Sequence, residues 1–186
     1  MIRQNLKNLL LQYTPQYTEE INAKSQMLAF LEQYPDCFER SCKPGHFTAS
    51  SWLLSHDLSK VLLMHHAKLD MWLQLGGHCD GDHDVKRVSL KEAEEESGLI
   101  NIEFLRSEIF DIDVHQFPES KNDIAHMHYD VRFLLKAPPQ AQIIKNHESK
   151  DLRWFTKDLE LLPTKEKSVT RMFEKWLALD KSLISV

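Results

Sequence analysis

Three glutamates near the middle of the chain carry the clearest chemical signal: Glu92, Glu95 and Glu96. Residues three and four positions apart share one face of a helix, so their carboxylates would lie side by side. Like charges at this spacing destabilise a helix unless a cation neutralises them. Hard divalent ions such as Mg²⁺ and Mn²⁺ prefer this all-oxygen environment. Taken alone, the spacing is also typical of an acidic helix face that only meets water.

Glycines bound the segment that holds these glutamates. A polar loop at residues 78–84 follows Gly76 and Gly77, and the pattern then predicts a helix over residues 85–97. Gly98 stands where glycine commonly ends a helix. Small Ala93 lies on another side of the helix and would let that helix approach a sheet closely. This setting favours a positioned acidic cluster over a solvated face.

With its flanking glycines, the segment at residues 77–99 resembles the Nudix box. The box reads Gly, five residues, Glu, seven residues, and then Arg-Glu-apolar-x-Glu-Glu-x-Gly-apolar. The matching residues are Gly77, Glu92, Ala93, Glu95, Glu96, Gly98 and Leu99. Segments at residues 72–77 and 152–155 also resemble Nudix domains, so the resemblance spans about residues 46–180.

The resemblance implies the α+β class, with a Nudix-type α/β/α sandwich on a mixed sheet. It also implies a hydrolase that cleaves a diphosphate linkage in a nucleoside diphosphate derivative or a related organic pyrophosphate. Glu92, Glu95 and Glu96 would hold Mg²⁺ or Mn²⁺, aided by the backbone carbonyl of Gly77. A box glutamate, Glu95 or Glu96, or the distal Glu148 would be the catalytic base. Glu148 fits an ordinary surface-loop carboxylate equally well.

Two positions depart from the box: His83 replaces the first glutamate and Lys91 replaces the arginine. Lysine keeps the positive charge and can pair with Glu95 at i+4, but it loses the planar fork of arginine. Flanking Asp82 and Asp84 could partly replace the lost carboxylate. We expect Lys91 and His83 to orient the metal-binding helix. The enzyme would then retain its activity, at a reduced or altered level. The alternative is a catalytically weakened Nudix-like nucleotide-binding or regulatory module.

A second polar cluster alternates along a predicted strand: His126, His128, Asp130 and Arg132. Alternate residues of a strand point to the same face. We hypothesise that His128, Asp130 and Arg132 contact the substrate, with Arg132 gripping a phosphate in bidentate fashion. The alternative is that these residues lie on a solvent-facing strand edge and have no functional role.

Zinc-type ligands also occur close together in the chain, at His65, His66, His78 and Cys79. Their spacing is not that of a recognised zinc motif, so we do not expect a zinc site here. His78 is better interpreted as a loop residue near the catalytic entrance.

The remaining pattern predicts the elements around the box. Apolar residues at helical spacing predict an N-terminal helical extension at residues 1–45, packed on a Nudix domain at residues 46–186. A lid or a homodimer contact is the alternative role of the extension. Strands are predicted at residues 47–54, 60–66, 72–75, 102–113, 127–136 and 152–155, and a helix from residue 165 to about 183.

Composition limits the classes of partner. A formal net charge of −5 argues against binding to polymeric nucleic acid, whereas a bound metal would still allow a small anionic substrate. The three cysteines, an odd number, do not suggest a disulfide framework. Without a signal-like or membrane-spanning apolar run, we expect a cytoplasmic protein with no membrane partner.

Overall fold

The computed structural model describes residues 2–119 and 124–179 of the 186-residue chain. Its α-helices are α1 Ile2–Gln12, α2 Thr18–Gln33, α3 Val85–Ser97 and α4 Lys167–Ala178. Its strands are β1 Gly45–Leu54, β2 Lys60–His66, β3 Trp72–Leu73, β4 Leu75–His78, β5 Glu103–Phe104, β6 Asp111–Phe117, β7 His126–Lys136 and β8 Ser149–Thr156. In these described ranges, no helix is both long and apolar enough to cross a bilayer.

Helix α3 forms with the predicted bounds. Gly98 follows it with a left-handed φ of 68°, and its N–H donates to the carbonyl oxygen of Glu94 at 2.9 Å. A Cβ at this position would lie only 2.8 Å from the Cβ of Ile144, so both conformation and space require glycine.

The single strand predicted at residues 102–113 is wrong, because the segment forms two short strands, β5 and β6. Phe104 lies opposite Leu135 of β7, and Asp111 lies opposite Arg132. An advance of seven residues along this segment therefore matches an advance of only three along β7. The extra residues cannot pair with β7 in register. The intervening segment stays attached through Leu105, whose N–H donates to the carbonyl oxygen of Leu134 at 2.9 Å.

The chain forms two compact units, and β1, β7 and α3 each run through both. The first unit comprises Met1–Ser50, Gly76–Ser89 and Glu108–Phe133, and the second comprises Ser51–Leu75, Leu90–Ser107 and Leu134–Val186.

In the first unit, neighbouring strands are hydrogen-bonded in the order β4-β1-β7-β6. Strands β6 and β7 are antiparallel, with Phe117 opposite His126. Gly76 brings β4 close to β1, since a Cβ there would lie 2.6 Å from the Cα of Ser50. Helix α2 packs on these strands through Phe30, whose ring stacks on Tyr129 at a centroid distance of 4.0 Å.

In the second unit, β2 pairs with β1, β3 and β8, and β5 pairs with β7. The apolar side of α4 supplies Trp176, which meets Trp52 and Phe173 edge-on with all three side chains fully buried. Aromatic packing of this kind contributes beyond the area it buries. The predicted helix at residues 165–183 starts two residues later than expected, and its part beyond residue 179 lies outside the described residues.

The predicted N-terminal helices form as α1 and α2. The domain boundary between residues 45 and 46 stays a prediction.

Candidate functional site

The three box glutamates lie on the part of α3 that belongs to the second unit, in graded environments. Glu96 is buried, with 2% of its surface exposed. The side chain of Glu92 is 14% exposed, and that of Glu95 is 56% exposed. Fully buried Ala93 lies on the inward side of the helix, as its size suggested. The three carboxylates of the helix therefore range from buried, at Glu96, to exposed to solvent, at Glu95.

Lys91 lies beside two of these carboxylates. Its Nζ is 3.4 Å from Oε1 of Glu92 and 3.4 Å from Oε2 of Glu95. The i+4 pair with Glu95 that the sequence predicts is thus confirmed. Because the lysine side chain is largely exposed, it provides a single screened charge and not a bidentate clamp.

Burial and like charge together disfavour the ionised form of Glu92. Burial is the largest influence and raises the pKa of Glu92, and the carboxylates of Glu95 and Glu148 add to the rise. Lys91 acts in the opposite direction. The carboxylates of Glu92 and Glu95 together carry more negative charge than the Lys91 ammonium between them can offset, which suits a divalent cation.

A loop far along the chain brings Glu148 to this helix within the second unit. The side-chain amide of Asn146 donates to the backbone carbonyl oxygen of Glu95 at 3.4 Å, and its Oδ1 accepts the N–H of Glu148 at 2.9 Å. The N–H of Ala67 donates to the carbonyl oxygen of Glu148 at 2.8 Å. The loop is thus fixed at both sides, and it leaves the Glu148 carboxylate half-exposed.

The loop before α3, in the first unit, holds the other box positions. Gly77 lies in β4, and His83 packs its ring against Phe38 at a centroid distance of 4.7 Å. Asp82 accepts two hydrogen bonds from the guanidinium of Arg87, at 2.6 and 2.7 Å. Asp84 accepts the backbone N–H of Arg87 at 3.2 Å, at the start of the helix. Both aspartates that flank His83 are therefore engaged in shaping the loop.

The alternation predicted for β7 is confirmed: Asp130 and Arg132 meet on one face of the strand. The Nε of Arg132 donates to Oδ2 of Asp130 at 2.7 Å, and its NH1 donates to Oδ2 of Asp111 at 3.0 Å. The hydroxyls of Thr48 and Ser50 donate to Asp130 at 2.9 and 2.8 Å. Arg132 is only 1% exposed, and carboxylates of the protein bind its guanidinium. Substrate contact by His128, Asp130 and Arg132 stays a prediction.

Four histidines of the first unit come together: His46 of β1, His78 of β4, and His126 and His128 of β7. One ring nitrogen from each lies within 4.8 Å of the others. Burial lowers the pKa of His46 to about 4 and that of His128 to about 2, with the neighbouring imidazoles adding to both shifts. Both rings are therefore neutral near pH 7.

Sequence reasoning found half of this cluster. The alternation on β7 indicated His126 and His128, but no local signal linked them to His46 or His78. The zinc-type set considered in the sequence is divided, with His65 and His66 in the second unit and His78 in the first. Buried Cys79 has a pKa well above its usual value because it is desolvated, so its thiol stays protonated.

Comparisons with known proteins agree with this geometry. A family model described as the NUDIX domain matches residues 44–177. A Nudix-family hydrolase from Clostridium perfringens superposes with a TM-score of 0.56 at 27% identity, covering 73% of this chain and 98% of that one. An Ap4A hydrolase from C. elegans, in a binary complex, gives a TM-score of 0.57 at 14% identity, covering 71% and 95%.

The Nudix domain of Shewanella oneidensis NrtR, complexed with ADP ribose, is also similar. It gives a TM-score of 0.51 at 20% identity and covers 79% of this chain and 94% of that one. No curated protein sequence matches the chain significantly. The predicted α+β Nudix fold is confirmed by these structures. Since the family match spans most of the chain and contains the acidic box, the chain belongs to the Nudix family and is a pyrophosphohydrolase of that family.

Proposed function

We propose that this enzyme hydrolyses the diphosphate linkage of a nucleoside diphosphate derivative or a related organic pyrophosphate, and that Mg²⁺ or Mn²⁺ is required. The observation that carries the proposal is the approach of the Glu148 loop to the acidic helix within the second unit. Similar proteins act on or bind such compounds, as the names Ap4A hydrolase and the complex with ADP ribose state. Both compounds contain phosphoanhydride bonds.

The carboxylate set fits a hard divalent cation. Glu92, Glu95 and Glu96 supply oxygen ligands, and the raised pKa of Glu92 reflects a burial that a bound cation would offset. The carbonyl of Gly77 stays a predicted further ligand. When bound, the ion polarises a phosphate oxygen and lowers the pKa of water.

The chain supplies the proton acceptor. We assign this role to Glu148, since its carboxylate is half-exposed and its backbone is hydrogen-bonded on both sides. A positioned carboxylate of this kind can take the proton of an attacking water molecule. Glu95 and Glu96 are the alternative bases. Lys91 orients Glu92 and Glu95, and His83 fixes the loop that precedes the helix.

His128, Asp130 and Arg132 remain the candidates for substrate contact. Because aspartates already bind Arg132, a phosphate would have to replace one of them. A rise in KM at unchanged kcat in Asp130→Asn would support contact with the substrate. A homodimer and a cytoplasmic location also remain predictions.

The test is an incubation of the purified protein with nucleoside diphosphate derivatives, dinucleoside polyphosphates and nucleoside triphosphates. Each reaction is run with Mg²⁺, with Mn²⁺ and with a chelator, in ¹⁸O-water so that product masses report which phosphorus is attacked. We expect metal-dependent cleavage that is lost when Glu95→Gln and Glu96→Gln are combined and reduced in Glu148→Gln. Glu94→Gln is the matched control on the same helix.

Ligand binding without turnover would contradict the proposal and indicate the weakened binding module. The pair His83→Glu and Lys91→Arg, which restores the usual box, then separates the two cases. A large gain from near zero identifies a degenerate enzyme, whereas a small change on an active protein agrees with the proposal.

A further inference from the structure

Three of the four clustered histidines of the first unit, His46, His78 and His126, have no part in the function proposed above, and His128 enters it only as a candidate for substrate contact. We propose that His46, His78, His126 and His128 form a second metal site, for a zinc-class divalent ion held by four imidazole nitrogens. The site is independent of the carboxylates on α3 and does not rest on the proposed hydrolysis.

The spacing of the rings suits one shared ion. The Nε2 atoms of His126 and His128 are 3.0 Å apart, and the candidate nitrogens of all four residues lie within 4.8 Å of one another. Zinc–nitrogen bonds of about 2.0–2.1 Å in a tetrahedron place the nitrogens about 3.4 Å apart. The widest pair must therefore approach by about 1.4 Å, which small rotations of the histidine side chains provide.

A backbone carbonyl sets the tautomer of His126. Its Nδ1 lies 2.7 Å from the carbonyl oxygen of Ile124, and a carbonyl can only accept, so Nδ1 carries the hydrogen. The lone pair of the neutral ring is then on Nε2, which faces His128. Histidines that bind metals commonly have their second ring nitrogen fixed in this way.

His46 points to the same conclusion independently. It is 2% exposed, and neither of its ring nitrogens has a hydrogen-bond partner among the described residues. Burying polar atoms without partners is unfavourable, and coordination would satisfy one of them. Its ring centroid lies 4.7–4.9 Å from those of the other three histidines.

The donor set also indicates which ions bind. Imidazole suits borderline first-row ions such as Zn²⁺ and Co²⁺, whereas Mg²⁺ prefers oxygen ligands. The four ligands come from three strands, β1, β4 and β7, so a bound ion would cross-link the sheet of the first unit. Four protein ligands leave no open position, which is typical of a structural zinc site.

The test is a titration of the metal-stripped protein with Co²⁺, followed by competition with Zn²⁺. We expect one equivalent of Co²⁺ to give the intense visible bands of a tetrahedral complex, and Zn²⁺ to abolish them. His46→Gln and His78→Gln should each weaken binding at least about 100-fold, given that even outer partners of a ligand change affinity 10–100-fold. His56→Gln, in the exposed β1–β2 turn, is the matched control and should bind normally.

Two further measurements keep the test independent of the variants. The Glu95→Gln, Glu96→Gln protein should still give the Co²⁺ bands, since it alters only the carboxylate set. The wild type should unfold about 5–10 °C higher in Zn²⁺ at one hundred times its dissociation constant. Absence of tetrahedral Co²⁺ bands in the wild type, or their persistence in both His46→Gln and His78→Gln, would overturn the proposal.

Discussion

Two charged clusters of this enzyme are built in opposite ways. In the first unit, Arg132 is almost fully buried and has several aspartates around it, with Asp113 at 3.5 Å in addition to Asp111 and Asp130. In the second unit, Lys91 is largely exposed and faces more carboxylates than it can neutralise. In the buried cluster, the charges of Arg132 and its aspartates satisfy one another through ion pairs and hydrogen bonds. The acidic helix keeps an excess of negative charge that can bind a cation.

The difference indicates a division of roles. A buried guanidinium with carboxylate partners is costly to disturb, and a ligand could reach it only by replacing one of those carboxylates. A partly exposed group of like charges is unfavourable without a cation and therefore has affinity for one. We accordingly expect substitutions in the first cluster to change stability and substitutions in the second to change metal-dependent turnover.

The largest effect should come from Arg132→Met. Removing this guanidinium leaves Asp111 and Asp130 buried without their cation, so we expect the free energy of unfolding to fall by about 3–5 kcal/mol. Urea denaturation measures the change. Arg153→Met is the control, because this exposed pair with Asp151 should be worth less than about 1 kcal/mol. Equal losses in the two variants would remove the distinction between the clusters.

Next is Glu96→Gln, which deletes the most buried carboxylate of the acidic helix. We expect Mg²⁺-dependent turnover to fall at least about 100-fold, since a direct ligand should matter no less than an outer partner. Initial rates at several Mg²⁺ concentrations measure the effect. Glu94→Gln should stay within about twofold, and a comparable loss there would show that general acidity of the helix is sufficient.

A smaller effect is expected for Lys91→Met. In metal-free protein, the loss of this exposed cation leaves Glu92 and Glu95 to repel each other, so unfolding should become easier by about 0.5 kcal/mol. Saturating Mg²⁺ should erase the difference from wild type, because the ion then neutralises the same carboxylates. Denaturation with and without Mg²⁺ is the measurement. An identical loss under both conditions would show that Lys91 acts apart from the metal.

The smallest effect concerns Asp57, which accepts hydrogen bonds from Ser55 and Ser59 in the β1–β2 turn. These bonds lower its pKa from 3.8 to about 2. A carboxyl with a depressed folded pKa contributes stability above its unfolded pKa and loses it as pH falls through its folded pKa, here between about pH 5 and 1. Asp57→Asn should cost less than about 0.5 kcal/mol at pH 7, because the group is exposed, and nothing at about pH 1.

An NMR titration of the Asp57 carboxyl checks this directly. Ser59→Ala should move its pKa back toward 3.8, since one of the lowering hydrogen bonds is removed. An unchanged pKa in Ser59→Ala would show that the turn, and not the hydroxyl, sets the titration.

Features determined by neighbours along the chain were predictable from the sequence. The bounds of α3, its end at Gly98 and the pair between Lys91 and Glu95 all follow from helical periodicity, which acts over three or four residues. The Nudix family followed for the same reason, since its box is one continuous segment. Alternation along β7 likewise placed Asp130 and Arg132 on one face.

Features that depend on strand pairing were decided by the tertiary structure. The division of residues 102–113 into β5 and β6 arises from a mismatch in length against β7, which no local pattern records. The partners of Arg132 and the meeting of His46 and His78 with β7 depend on which strands are neighbours. Strand pairing joins residues that are far apart in the chain, so local sequence patterns carry little information about which strands pair. The sequence determined the acidic helix, and the tertiary structure determined what surrounds it.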